Sequence, residues 1–427
     1  MRQGRGRSSG AMYRWLALVV LVGAMGAGGA RAENWPRFRG RNGQGISEAS
    51  GIPTTWSDRD YEWEITLPGQ GHSSPVIWEG KVFVTCADEN SRRGFLICLD
   101  GADGRELWRR EQDLTKYPIN SLNSYASPTP AVDEDHVYVL WPASDKTILA
   151  ALTHEGLEVW TVALDGVHAR HGKGSSPIVE GNYVIVSHEQ ERNRAGAKSQ
   201  WVAVDRKTGE VKWRLEEPPV ENASYSTPCI RRNESSGVEV IFASNAHGIT
   251  GVDIDTGRVV WNVDAVLPDR VVSSPVLVGE TVLATCGAGG RGKRLTAVGL
   301  TSTGGADERY RLQTRVVPYV PTSVVHEGRV FAFHDGGQVS CLAGDTGAVL
   351  WSEKPAGRYY GSPICVNGVL YAITIDGDVV VLRAGPTYEL LAVNALGEKS
   401  HSTPAVGDGR LVLRTISHVF SVGNGGQ

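Results

Sequence analysis

Beyond its first 32 residues this 427-residue chain has no apolar run fit to cross a bilayer, no block of lysine and arginine, and no long amphipathic helical pattern. The first absence argues against a membrane-spanning helix in the body, and the second argues against nucleic acid as a general partner. The third leaves strands as the main material of the fold. No G-x-S-x-G or other nucleophile context occurs, so hydrolase chemistry of that type has no starting point. Cysteine is scarce, with six in all and none before Cys86, which rules out a lipid-modified cysteine at an early cleavage point.

The first 32 residues read differently. Arg2, Arg5, Arg7 and Arg14 precede an apolar stretch from Trp15 to about Gly29, and Ala30-Arg31-Ala32 is a small-x-small cleavage pattern. This predicts an export signal over residues 1–32, an N-terminal extension over 33–59 and a repeat body over 60–427. The segment carries five arginines and no acid, so its removal takes the formal charge from −4 to −9. No transmembrane segment then remains.

What is abundant is glycine (52 residues), and it is periodic. A Ser/Thr-Pro opening followed by apolar strands recurs at Ser74-Pro75, Ser127-Pro128, Ser176-Pro177, Thr227-Pro228, Ser274-Pro275, Ser362-Pro363 and Thr403-Pro404, with Thr322-Ser323 as a proline-free eighth. The closing half has fixed spacing: Gly104 to Trp108, Gly156 to Trp160, Gly209 to Trp213, Gly257 to Trp261 and Gly347 to Trp351. Side chains four apart on a strand share a face, so each turn delivers a Trp to an equivalent place. Tyr310 and Leu391 stand where two further Trp residues are expected.

A forty- to fifty-residue period of short strands predicts a propeller. The expected fold is all-β, an eight-bladed β-propeller of four-stranded antiparallel blades. The last copy ends before any Trp strand, while DRDYEWEITL near the start supplies one with Trp63 in place, so the eighth blade is completed by an N-terminal strand. Cys86 and Cys98 fall on neighbouring strands of the first blade; a disulfide and a pair of small buried side chains are both compatible with that placement.

The segment entering each innermost strand lines the mouth of a propeller's channel. Three residues before the opening proline stand His72, Tyr125, Gly174, Tyr225, Val272, Tyr360 and His401, with Pro321 as the nearest equivalent in the sixth copy. His171, Lys173, Arg270, Tyr319, Arg358 and Tyr359 lie close by. The candidate ligand-binding set is His72, Tyr125, His171, Lys173, Tyr225, Arg270, Tyr360 and His401, suited to an anionic or aromatic small molecule; the competing reading is that these residues only satisfy blade junctions. Neither a metal-ligand spacing nor a phosphate loop is present: HARHGKGSS leads into a strand, where phosphate binding needs a helix N-terminus. Trp35, Arg37, Phe38 and Arg39 of the extension are expected to cover one face of the ring or to meet a partner.

The SSP, apolar strand, LD/VD-x-x-TG-x-x-x-W pattern resembles the repeat of PQQ-like β-propellers, and NWPRFRGRNGQGIS followed by GIPTTW is similar to exported BamB-like bacterial proteins. The resemblance covers residues 56 to 423. It implies an exported protein of the periplasm or cell envelope, or one released outside the cell, acting as a monomeric binding or assembly scaffold for unidentified envelope proteins, without catalysis. Two alternatives stay open: a divergent PQQ-dependent quinoprotein oxidoreductase, and a small-molecule or glycan binder at the central funnel. The quinoprotein alternative implies a vicinal Cys pair, a Trp platform, a Ca²⁺ held by carboxylate and amide, and an Asp base. The closest cysteines here are Cys86 and Cys98, no CxxCH occurs, and no calcium ligands can be matched, so no cofactor is expected.

Overall fold

The computed structural model describes residues 33–192, 198–233, 237–301, 305–314 and 316–423, besides Met1 and Gly4. The expected export signal otherwise lies outside the described residues. Eight four-stranded antiparallel sheets account for nearly all regular structure. Blade 1 is built from Val76–Trp78, Lys81–Asp88, Arg93–Asp100 and Glu106–Asp113. Blades 2 to 7 follow over 131–165, 178–217, 229–263, 276–312, 324–353 and 364–395. Blade 8 joins Ala405–Gly407, Arg410–Arg414 and His418–Gly423 to Tyr61–Thr66, which pairs antiparallel with His418–Gly423. The ring is therefore closed by main-chain bonds between the two ends of the propeller. No helix among the described residues is long and apolar enough to cross a membrane.

The outer strands carry the Trp residues into a repeated interlock. In each outer pair the register slips by one residue just before the Trp position, giving Cys98 opposite Trp108, Ala151 opposite Trp160, Ala203 opposite Trp213 and Cys341 opposite Trp351. The bulge turns the indole toward the next blade, where Nε1 of Trp63, Trp108, Trp160 and Trp213 donates to the carbonyls of Gly101, His154, Arg206 and Ile254 at 2.7–3.1 Å. A glycine admits this approach. At Gly209 (φ 74°), a Cβ would fall 2.8 Å from the Trp160 ring. Tyr310 serves as expected, its hydroxyl donating to Gly344 at 2.8 Å.

Leu391 does not. The bulge in blade 7 aligns Val381 with Ala392, so the Trp position is occupied by Ala392 and Leu391 lies one residue off it. Trp56, from the extension, is buried in the hydrophobic core against which Leu391 and Ala392 pack. Its N–H donates to Asn394 Oδ1 at 3.0 Å, while Asn394 Nδ2 donates to the Thr54 carbonyl.

The innermost layer is a closed circuit of hydrogen bonds. Backbone N–H groups of Ser74, Thr129, Ser176, Thr227, Ser274, Thr322, Ser362 and Thr403 each donate to the hydroxyl of the next residue in that series, and Thr403 donates to Ser74, at 2.9–3.2 Å. This explains the Ser/Thr-Pro openings. The hydroxyl takes a donor from the preceding blade, and the proline holds the residue before it extended while adding no N–H to satisfy. It also corrects the second opening, which is Thr129-Pro130 and not Ser127-Pro128: two Ser/Thr-Pro pairs lie in tandem, and only the second enters the circuit.

Cys86 and Cys98 are free and buried. Cys86 stands opposite Phe95 and Cys98 opposite Phe83, with the two thiols in hydrophobic clusters on opposite faces of the blade. They pack as small apolar side chains.

Residues 33–47 run across one end of the ring. Trp35 bridges Ile77 of blade 1, the Pro36 carbonyl accepts from Val132 of blade 2, and Arg37 Nη2 donates to Pro228 at 2.8 Å. Arg39, fully buried, donates to the carbonyls of Gly43, Gln44, Thr322 and Ser323. Ile46–Ser47 then adds a parallel fifth strand to the inner edge of blade 7. Of the two roles expected for this segment, it fills the covering one.

Candidate functional site

Because residues two apart on an extended chain point the same way, each residue two before the hydroxyl circuit faces the channel as well. These positions are His72, Ser127, Gly174, Tyr225, Val272, Val320, Tyr360 and His401, and all eight are half-buried. Together with the eight Ser/Thr residues they form two stacked rings lining a cavity of about 450 Å³. Phe38 of the covering segment also lines it, and Leu122, Asn120, Asn123, His171, Arg270 and Tyr319 line it from the entry loops.

Six of the eight candidate site residues therefore share one cavity: His72, His171, Tyr225, Arg270, Tyr360 and His401. Tyr125 does not join them. The true opening at Thr129-Pro130 puts Ser127 in the ring position, and Tyr125 is buried against Tyr117, with its hydroxyl donating to the Tyr117 carbonyl at 3.0 Å. Likewise Val320, not Pro321, occupies the sixth position. Lys173 faces away from the channel, 2% exposed, and its Nζ donates to the Ser187 carbonyl at 2.8 Å. Burial pulls its pKa down to about 7, opposed by the nearby Glu189.

The rim of the cavity is aromatic on one side. The His72 and His401 rings lie 4.4 Å apart, and Tyr360 meets His401 edge-on at 5.0 Å. Burial, with His401 and Arg414 adding like charge, pushes His72 down to about 3, and burial also lowers His401 and His171. Burial thus favours the neutral form of each of these imidazoles. Arg270 provides the cationic group: its Nη2 donates to Glu191 at 3.3 Å and to Asn222 at 3.0 Å, and Glu191 is shared with Arg170. Two guanidinium groups thus face one carboxylate. Three buried atoms of lining residues meet no partner: His72 Nδ1, Tyr225 Oη and Arg270 Nε.

Several lining residues escaped the sequence reading. Asn120, Leu122 and Asn123 belong to a loop between blades 1 and 2 that reaches blade 8, where Leu122 O lies 3.2 Å from His401 Nδ1, and blade 3, where Asn123 Nδ2 donates to the His171 carbonyl at 2.6 Å. The long interval between the first two repeats was the only sign of it. Tyr319 and Val320 are set by buried Asp335, whose carboxylate accepts both of their N–H groups, at 2.7 and 3.0 Å.

A calcium-held quinone does not fit this lining. No Asp, Glu, Cys or Trp borders the cavity, so the carboxylate ligand, the general base, the vicinal thiols and the indole platform all lack a residue. Among the described residues no group of three or more His, Cys, Asp or Glu is placed to hold a metal ion.

A family model described as outer membrane protein assembly factor BamB matches residues 55–126, 92–315 and 292–415. Among solved structures, BamB from Moraxella catarrhalis superposes with a TM-score of 0.58 at 15% identity, covering 84% of this chain and 95% of that one. The quinohemoprotein alcohol dehydrogenase from Comamonas testosteroni gives 0.63 at 15% identity, covering 92% and 81%. A europium-containing methanol dehydrogenase gives 0.60 at 11% identity, covering 90% of each. At these identities the likeness is one of fold. No curated protein matches by sequence.

Proposed function

The chain belongs to the family described as outer membrane protein assembly factor BamB, and from that premise we propose that it is an exported, non-catalytic binding or assembly scaffold of the cell envelope. The observation that carries this reading is the chemistry of the channel: its lining has hydroxyls, imidazoles, amides and one guanidinium, and no carboxylate to act as base or hold a metal. Export is supported by the arginine-led apolar segment ahead of Glu33. A rigid closed ring with a charged hairpin at 88–93 and a glycine-rich one carrying Arg291 at 287–292 offers the kind of loop-bearing surface that propellers use for proteins. The partners are one or more envelope proteins.

The test is direct. Purified protein is mixed with PQQ and Ca²⁺, and absorbance and dye reduction with alcohols or sugars are recorded. The scaffold reading expects no turnover, whether or not PQQ is taken up; stoichiometric uptake with turnover would overturn it. Crosslinking in intact envelopes is then expected to join the protein reproducibly to the same envelope protein.

A further inference from the structure

The hydroxyl circuit does more than join blades. Each of its eight oxygens accepts a backbone N–H from the neighbouring blade, and none of the eight hydroxyls donates to a protein acceptor among the described residues. A hydroxyl carries one donor proton besides its lone pairs. Eight O–H donors are thus left over in one ring, all bordering the same cavity, with no carboxylate to receive them. The eight N–H groups behind the oxygens reinforce the positive side of each O–H.

The second ring has a different chemistry. His72, Tyr225, Tyr360 and His401 put flat rings around the space above the hydroxyls, Val272 and Val320 add apolar surface, and Gly174 leaves room beside Tyr225. Arg270 lines the same cavity. A pocket of about 450 Å³ is within the range that encloses a small organic molecule. A donor ring below, aromatic walls above and a guanidinium alongside select a molecule with a negative head and a flat apolar body.

We propose that the central cavity binds a small aromatic carboxylate, its carboxylate seated in the ring of Ser and Thr hydroxyls and its ring system between Tyr225, Tyr360, His72 and His401. Charge-assisted O–H to carboxylate bonds supply the selectivity for the acid over a neutral isostere. This inference does not depend on the scaffold reading, since a scaffold and a non-scaffold propeller can both hold such a ligand.

The experiment titrates the full chain with 2-naphthoate and separately with its neutral amide, followed by calorimetry and naphthyl fluorescence. The expected result is saturable binding of one acid per chain, with the amide at least tenfold weaker. Val272→Trp, which fills the cavity and leaves every circuit hydroxyl in place, is expected to abolish binding while the melting transition is kept. Ser274→Ala is expected to weaken the acid severalfold and leave the amide unchanged. No saturable binding of the acid, equal affinity for acid and amide, or full binding by Val272→Trp would each overturn the proposal.

Discussion

Two rings of eight residues, two residues apart along every entry strand, divide the labour of this molecule. The lower ring is chemically uniform: all eight positions are Ser or Thr. The upper ring holds two His, two Tyr, two Val, a Ser and a Gly. The lower ring is constrained because each hydroxyl must accept a neighbour's N–H, and one failure leaves a buried donor unpaired. The upper ring makes no such circuit, so its residues are free to differ. Uniformity marks what the fold needs, and variety marks where the shape of a ligand's body can be selected.

The comparison is broken most severely at the seam. Deleting residues 60–68 removes the strand that completes blade 8, exposes the edge of His418–Gly423 and opens the ring. Loss of a single cooperative transition in calorimetry is expected; an unchanged melt would contradict the clasp.

The next effect is at the outer interlock. Trp213→Ala removes a buried indole and its bond to the Ile254 carbonyl, at a cost of about 3–5 kcal/mol in urea unfolding. Trp56→Ala is expected to cost a comparable amount, about 3–5 kcal/mol, since it supplies the buried indole that blade 7 lacks. A loss below about 1 kcal/mol at Trp56 would return the extension to the status of a loose cover.

A further effect belongs to the upper ring and depends on pH. His72 is pushed down to about 3, by burial first and then by His401 and Arg414, from an ordinary value of 6.5. The unfolded chain therefore takes up the proton first as pH falls. This contribution to stability is complete above pH 6.5 and is lost progressively as pH drops toward 3. His72→Gln should flatten that part of a melting-temperature profile, and an identical slope in the variant would remove His72 as its source.

Much of the architecture was legible because a repeat reports the same contact many times. The Trp spacing exposed the outer strands, and Trp63 ahead of the first repeat exposed the seam. The misreadings have local causes. Tandem Ser127-Pro128 and Thr129-Pro130 are equivalent on paper, and the inter-blade bonds of Thr129 to Ser176 and Ser74, partners 47 and 55 residues away, distinguish them. That slip of two carried Tyr125 into the site in place of Ser127. Leu391 stands where the repeat leads one to expect a Trp, whereas the bulge puts Ala392 at that position by register and the missing indole comes from Trp56. Lys173 was placed near the mouth by proximity in sequence, but successive residues on an extended strand face opposite ways, and its neighbour Gly174 takes the channel side.

The most direct test of the two-ring account is a pair of melts on one strand. Ser274→Ala leaves the Thr227 N–H without its acceptor, while Val272→Ala, two residues earlier, trims a side chain that faces the cavity. Ser274→Ala should lose about 1–3 kcal/mol of stability and Val272→Ala distinctly less. Equal losses, or a larger one at Val272, would contradict the assignment of blade-to-blade closure to the lower ring.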